Sequence, residues 1–362
     1  MKPDSCFPSW KQIRQNKKHA KKEVLSFLAF FGGTPMKTFK IAGIEIKSRY
    51  VLAPLAGYTD YSLRKLASDN GAGLVYTEME SCESLYYNSK QTKQDLKDTH
   101  LDRKTEPGTK LALQIFGGKK DIILKSIPMF ENLGEYDFLD FNCGCPVPKV
   151  IRQNAGSAWL NRPDELIDLM KDIVRISNKP VIIKIRIGFS EIMDIVYLCK
   201  KLEEVGVKAI AVHGRTRSEM FSSPVHYDVI HDIKRNVGIP VIANGLIDSN
   251  NFQDIFDKTK ADAVMIGQKA VGYPKIFENM TRIEEGLKEN PDTLKRQIDD
   301  LKKQMDLLYQ IKDEHQASGI LRSVSVHYMK GFDNIKKYRI ALVHCETHQQ
   351  YLDVLNNMQN EQ

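Results

Sequence analysis

Between Arg49 and Ile266, short apolar runs alternate with longer segments in which apolar residues recur every three or four positions. The run Pro180-Val181-Ile182-Ile183-Lys184-Ile185-Arg186 is rich in β-branched residues and reads as a strand. Behind it Ile192, Ile195, Val196, Cys199, Leu202 and Val205 recur at helical spacing up to Gly206, a residue that stops helices. Ala209-Ile210-Ala211-Val212-His213 follows as the next strand and completes a βαβ unit. The same alternation predicts strands ending near Pro54, Thr77, Ile115, Asn142, Ile187, His213, Ala243 and Ile266. Eight units spaced by roughly 25 to 40 residues fit a (β/α)8 TIM barrel; an open doubly wound sheet is the alternative, because periodicity does not show closure.

After Pro274 the strand pattern stops and polar helices follow, over Leu294 to His315, around Ser323 to Met329, and over Ile335 to Cys345, the last two joined at Gly331. The expected division is a basic extension over 1–35, a barrel over 36–280 and a smaller all-α C-terminal domain over 281–362.

The chain has 362 residues, 42% hydrophobic and 27% charged, a balance that excludes disordered, collagenous and disulfide-dense classes. Its formal net charge of +7 suggests a polyanionic partner. That charge is unevenly placed: residues 1–35 carry +5, residues 36–274 carry +3, and the stretch from Lys275 onward carries −1. Within that last stretch Arg322, Lys330, Lys336, Lys337 and Arg339 gather against Asp333 alone, a basic cluster that is a solvated helix face or a nucleic-acid contact. No apolar run approaches the roughly 18 to 20 residues that span a bilayer. Leu25 to Phe31 follows a Lys-rich start but is too short for a signal peptide. The six cysteines lack a disulfide framework or a zinc-ligand spacing, so a reducing cytoplasm and no bound metal are expected.

In such a barrel the chemistry collects where strands end. Polar residues there include Glu78, Gln114, Asn142 with Cys145, Lys184 with Arg186, His213 with Arg215, Asn244-Gly245 and Gly267-Gln268. Lys184 and Arg186 lie two apart on one apolar strand, so both face the mouth or two charges are buried. Cys145 follows the strand Phe138-Leu139-Asp140-Phe141; an ordinary thiol there keeps its proton at neutral pH and can donate it, although a free cysteine is more often inert filling. Cys143 reads as structural. Asn244-Gly245 and Ile266-Gly267 end the last two strands, where backbone N–H groups commonly hold a phosphate.

Taken in order, Ala53-Pro54-Leu55-Ala56-Gly57-Tyr58-Thr59-Asp60, Gln114-Ile115-Phe116-Gly117, Asn142-Cys143-Gly144-Cys145-Pro146 with Lys149, Lys184-Ile185-Arg186 and Val212-His213-Gly214-Arg215-Thr216-Arg217 give the chain a resemblance. It resembles the tRNA-dihydrouridine synthases, and its tail Val326-His327-Tyr328-Met329-Lys330-Gly331 is similar to the bacterial B-type subgroup. The resemblance implies flavin-dependent reduction of the C5=C6 bond of uridine in tRNA, with FMN bound in the barrel and NADPH as electron source. It implies Cys145 as the proton donor, with Asn142 and Arg186 orienting the uracil; the helical domain and the region of Lys149, Arg215 and Arg217 are candidates for contacts to the tRNA. By the same resemblance Pro54, Leu55, Ala56, Gln114 and Lys184 contact the flavin ring. His213 and the turns at Asn244-Gly245 and Gly267 hold its phosphate arm, Leu246 and Gln268 through their backbone alone.

Two departures stand out. The family usually reads Asn-Gly-Asp and Gly-Arg at the last two strands, where this chain has Asn244-Gly245-Leu246 and Gly267-Gln268-Lys269. Losing the arginine removes a bidentate phosphate contact, which Lys269 could replace. Tyr58, Tyr61, Tyr86 and Tyr87 are candidates for stacking on bases. The competing functions are a small-molecule FMN oxidoreductase of the dihydroorotate or dihydropyrimidine dehydrogenase type, and a tRNA-binding protein without catalysis. The expected state is a monomer. Met36-Lys37-Thr38-Phe39-Lys40 is similar to the usual start of the family.

Overall fold

The computed structural model describes residues 37–105 and 108–361. The expectations for 1–35, including the basic extension and the apolar run at Leu25, lie outside the described residues.

A short antiparallel hairpin, β1 (Phe39–Ile41) and β2 (Ile44–Ile46), precedes eight parallel strands. These are β3 (Tyr50–Leu52), β4 (Leu74–Ser81), β5 (Lys110–Phe116), β6 (Phe138–Cys143), β7 (Val181–Arg186), β8 (Ile210–His213), β9 (Val241–Asn244) and β10 (Ala263–Ile266). Each pairs with its sequence neighbour and β10 closes on β3, so the sheet is a barrel and the open alternative is excluded. Strand alternation sorts two cores. Outward residues such as Val181, Ile183 and Ile185 pack against the surrounding helices. Inward residues such as Tyr76, Ala112, Phe138, Ile182, Ile242 and Met265 fill the interior, and Phe39, Ile41 and Ile46 of the hairpin close that core from below. The interior is therefore apolar at its base and becomes polar toward the strand ends.

Two expectations within the barrel are corrected. β4 does not end near Thr77 but runs to Ser81, with a register irregularity between Tyr76 and Met79. Thr77 and its neighbours are polar because the strand bulges there: the Thr77 hydroxyl accepts from Gln114 N at 3.1 Å and donates to Glu78 O at 2.7 Å. The helix after β7 starts at Ile195, capped by the Asp194 carboxylate, so Ile192 lies outside it and is exposed.

The last helix packed on the barrel is Ile276–Glu284, which contributes Ile276, Phe277 and Met280 to the barrel core. The helices Leu294–Tyr309, Glu314–Tyr328, Lys336–His344 and His348–Asn360 form a second core around Leu301, Met305, Leu321, Tyr328, Leu342 and Leu355. The first of these stops at Tyr309 rather than His315, because Asp313 caps a new helix by accepting from Gln316 N. This bundle is tied to the barrel's first loop. Gln304 Nε2 donates to Ser62 Oγ at 3.1 Å, Tyr328 OH donates to Gln304 Oε1 at 2.7 Å, and Tyr58 OH lies 3.0 Å from Ser323 Oγ. Lys312 pairs with Asp95 at 3.0 Å.

Candidate active site

The barrel register brings the predicted polar residues together. Gln114 lies opposite Asp140, Asn142 opposite Lys184, Arg186 opposite His213, and His213 opposite Asn244. All are inward positions, Asp140 in the middle of its strand and the others toward the C-terminal ends. Around them stand the loop Pro54–Gly57, the Cys145 loop, the segment after β8 and the turns after β9 and β10.

The first loop is shaped by the rest of its own motif. Leu55 N donates to Thr59 Oγ1 at 3.0 Å, Asp60 caps the helix Tyr61–Asp69 through Ser62 N and Leu63 N, and Gly57 N donates to Glu78 Oε2 at 2.6 Å. Pro54 and Leu55 are half-buried and Ala56 is exposed. Beneath, Arg64 makes a bidentate buried ion pair with Asp102, at 3.0 and 2.7 Å.

Cys145 is half-buried. Asn142 Oδ1 accepts from both Gly144 N and Cys145 N, at 3.1 and 3.0 Å, so the Asn142 side chain fixes the loop that carries the thiol. Burial raises the Cys145 thiol above its ordinary range, against the lowering influence of a Val147 backbone hydrogen bond and of Lys184 and Arg186. The thiol therefore keeps its proton through neutral pH. Cys143 is wholly buried, as a structural residue.

Lys184 Nζ donates to Asn244 Oδ1 at 3.1 Å, and Asn244 Nδ2 donates to Met265 O at 2.9 Å, linking β7, β9 and β10. Burial, and then the nearby Arg186, pushes the Lys184 ammonium down to about 8. Arg186, 1% exposed, donates Nε to Gly144 O at 2.9 Å and Nη1 to Thr216 O and Met220 O at 2.8 and 3.2 Å. It clasps the Cys145 loop to the loop after β8, which leaves Nη2 for a ligand. Arg215 is buried and donates Nε to Ser223 O. None of Lys184, Arg186 and Arg215 has a carboxylate ion-pair partner among the described residues. His213 is held neutral by burial and by these three cations, and its Nε2 is a buried polar atom without a hydrogen-bond partner. An uncompensated positive mouth with an orphaned imidazole nitrogen fits an anionic ligand.

The turn after β9 runs through Gly245 at φ +127° and Leu246 at φ +48°. A side chain on Gly245 would press on Val225 and on the His213 ring at 3.2 Å, so glycine is required there. Leu246 is 59% exposed, Gln268 is exposed, and Lys269 reaches Asp248 at 3.3 Å.

The dihydrouridine synthase family model matches residues 51–362. The tRNA-dihydrouridine synthase B of Vibrio cholerae is 32% identical over 319 residues, covering 87% of this chain and 97% of that protein. The chain belongs to the dihydrouridine synthase family. The tRNA-dihydrouridine synthase B of Pasteurella multocida is 34% identical over 283 residues, 78% of this chain and 82% of that one. Among solved structures the old yellow enzyme of Trypanosoma cruzi superposes with a TM-score of 0.53 at 12% identity, over 73% of this chain and 95% of that one, a likeness of fold.

Within the family's motifs, several contacts lie beyond what the residue order conveys. Asp140 is fully buried and accepts from Gln114 Nε2 at 2.7 Å; it stands two residues before Asn142, the same spacing that singles out Lys184 and Arg186. Phe221, 55% exposed, sits with its ring centroid 6.3 Å from that of His213 and 5.5 Å from the Arg186 guanidinium carbon. Of the four early tyrosines, Tyr61 is buried and Tyr58 is hydrogen-bonded to the helical bundle, leaving Tyr86 and Tyr87 exposed at the end of the short helix that follows β4. Lys149 is exposed on the turn Pro148–Ile151, just beyond the Cys145 loop.

Proposed function

We propose that this protein reduces the C5=C6 bond of a uridine in tRNA to dihydrouridine, with FMN as its flavin and NADPH as the source of electrons. The observation that carries this reading is a protonated, half-buried thiol, Cys145, fixed by backbone hydrogen bonds beside cations that lack counter-charges. A reduced flavin held at the mouth would supply the hydride that C6 of the uracil requires. Cys145 holds the proton at Sγ that C5 requires, and its raised pKa keeps that proton available until transfer. Lys184 gives a cation for the electron-rich edge of the ring, and Asn244 keeps its ammonium from swinging away. Gln114 has one amide N–H committed to Asp140, and its other is available to the ring. Pro54, Leu55 and Ala56 supply an apolar wall.

The phosphate arm is assigned to His213, whose unpartnered Nε2 fits it, and to the turns Asn244-Gly245-Leu246 and Gly267-Gln268. Lys269 pairs with Asp248 and is a weak substitute for the arginine that the family usually carries. Asn142, the Nη2 of Arg186, Arg215 and Lys149 are assigned to the nucleotide. The exposed Tyr87 and the cations Lys336 and Arg339 extend the surface on which tRNA would lie, with affinity dominated by shape and phosphate contacts. The target base must leave its stack to reach Cys145. The setting is cytoplasmic and the working unit is a monomer.

The test offers the purified protein NADPH with unmodified tRNA, free uracil or orotate, side by side. The reading expects dihydrouridine in tRNA and no turnover of the free bases. Turnover of uracil or orotate with tRNA left unchanged would assign the protein to the small-molecule reductases.

A further inference from the structure

Four polar groups run in an unbroken line from the buried interior to the thiol loop. Asp140 Oδ2 accepts from Gln114 Nε2 at 2.7 Å, Gln114 Oε1 accepts from Asn142 Nδ2 at 2.8 Å, and Asn142 Oδ1 accepts from Gly144 N and Cys145 N. The direction of this line is dictated at one end. Backbone N–H groups can only donate, so Asn142 must present its oxygen to them and its NH2 to Gln114. Gln114 then presents its own NH2 inward, and that donor needs an acceptor at the position of Asp140. Asp140 is fully buried, and its other oxygen has no partner, so its carboxyl is kept there at a desolvation cost for a single hydrogen bond. Burial pushes that carboxyl up to about 7, with the Gln114 hydrogen bond and Lys184 holding it back.

We propose that Asp140 is a positioning residue for the Cys145 thiol: by accepting from Gln114 it locks both amides in one orientation and so pins the Gly144-Cys145 backbone. Its action passes through two side chains, and it touches neither substrate nor cofactor. The proposal rests on the reading of Cys145 as the proton donor, but the pinning itself concerns the protein alone.

The experiment is the rate of iodoacetamide alkylation at Cys145, followed by mass spectrometry in the wild type, Asp140→Asn, Asp140→Leu, Gln114→Met and the double variant Asp140→Leu/Gln114→Met. Asparagine retains an oxygen for Gln114 and is expected to alkylate within about twofold of the wild type. Asp140→Leu and Gln114→Met each remove one link; a freed loop exposes the thiol, and alkylation is expected to rise about tenfold, the equivalent of one lost hydrogen bond. Because both act through one line, the double variant is expected to match either single variant rather than multiply to about a hundredfold. With tRNA as substrate, Asp140→Leu is expected to lower kcat about tenfold at unchanged KM, and Asp140→Asn to recover it. A wild-type alkylation rate in Asp140→Leu, multiplicative effects in the double variant, or an asparagine variant as loose as the leucine one would each overturn the proposal. Should Asp140→Leu fail to fold, Gln114→Met carries the same test, and an unchanged rate there overturns it as well. Alkylation is read without tRNA, so failure of this line and failure of the proposed activity are separate results.

Discussion

Replacing Arg186 by lysine keeps the charge at the mouth and removes the fork. Arg186 donates three hydrogen bonds to loop carbonyls, at 2.9, 2.8 and 3.2 Å, while 1% exposed. A lysine ends in one ammonium and can keep the outer contacts at Thr216 or Met220, but it has no donor at the position of Nε. Gly144 O then loses its charged donor inside the protein. Hydrogen bonds to charged groups contribute about 1.5 to 3 kcal/mol each, so losing one or two costs roughly 2 to 4 kcal/mol. At about 2 °C per kcal/mol for a large domain, Tm falls by roughly 4 to 8 °C. Thermal and urea unfolding of Arg186→Lys against the wild type measure this directly. If Arg186 served the substrate alone, the variant would unfold with the wild type and show only a raised KM for tRNA. A Tm within about 1 °C of wild type would refute the clasp and the arithmetic behind it.

Flavin affinity should depend on pH through Lys184. Its folded pKa of about 8 lies below the ordinary lysine range, so the cation is present below that pH and is lost above it. FMN binding, followed by fluorescence quenching, is expected to be level near pH 7 and to weaken by up to about tenfold per pH unit above 8. A Lys184→Met variant should bind weakly and evenly across the range; a level wild-type profile would count against the assignment. Leu246→Asn should stabilise the protein by about 0.5 to 1 kcal/mol, because an exposed leucine at φ +48° is strained and asparagine tolerates that conformation; a lower urea midpoint would contradict this. Deleting residues 1–35, which carry +5 of the net charge, is expected to leave dihydrouridine formation intact, and a collapse in activity with tRNA would make that segment part of the RNA surface.

The barrel was legible because each of its strands is covered on both sides, inside by the apolar base and outside by helices, so strands read as nearly continuous apolar runs. It failed where that rule is broken. β4 continues through Thr77, Glu78 and Glu80 to Ser81, and those polar residues imitate a strand end because the bulge turns them to separate tasks. The single helix read over Leu294 to His315 is two, because the cap at Asp313 is a local contact that apolar spacing does not carry.

In the site, Gln114, Asn142, Lys184, Arg186, His213 and Asn244 stood out as polar residues at the ends of apolar strands. What each holds was not legible. Arg186 grips carbonyls from two separate loops, and Phe221, from the second of them, lies beside it, relations set by loop paths rather than by strand period. Asp140 was hidden in the middle of its apolar strand, although its spacing from Asn142 marks it as facing the same way. The basic helical cluster looked more uniform than it is. Lys337 is paired with Glu361, and Arg322 lies 3.9 Å from Glu346, leaving Lys330, Lys336 and Arg339 without an ion pair among the described residues. The positive charge at the barrel mouth is the set of half-buried Lys184 and buried Arg186 and Arg215, which the total of +7 does not reveal.

The most direct measurement is dihydrouridine formation in unmodified tRNA by Cys145→Ala, with the bound flavin read from its absorbance on the same sample. A yellow protein with flavin content equal to the wild type and no dihydrouridine formed is the expected result. Undiminished dihydrouridine formation by that variant would contradict Cys145 as the source of the proton.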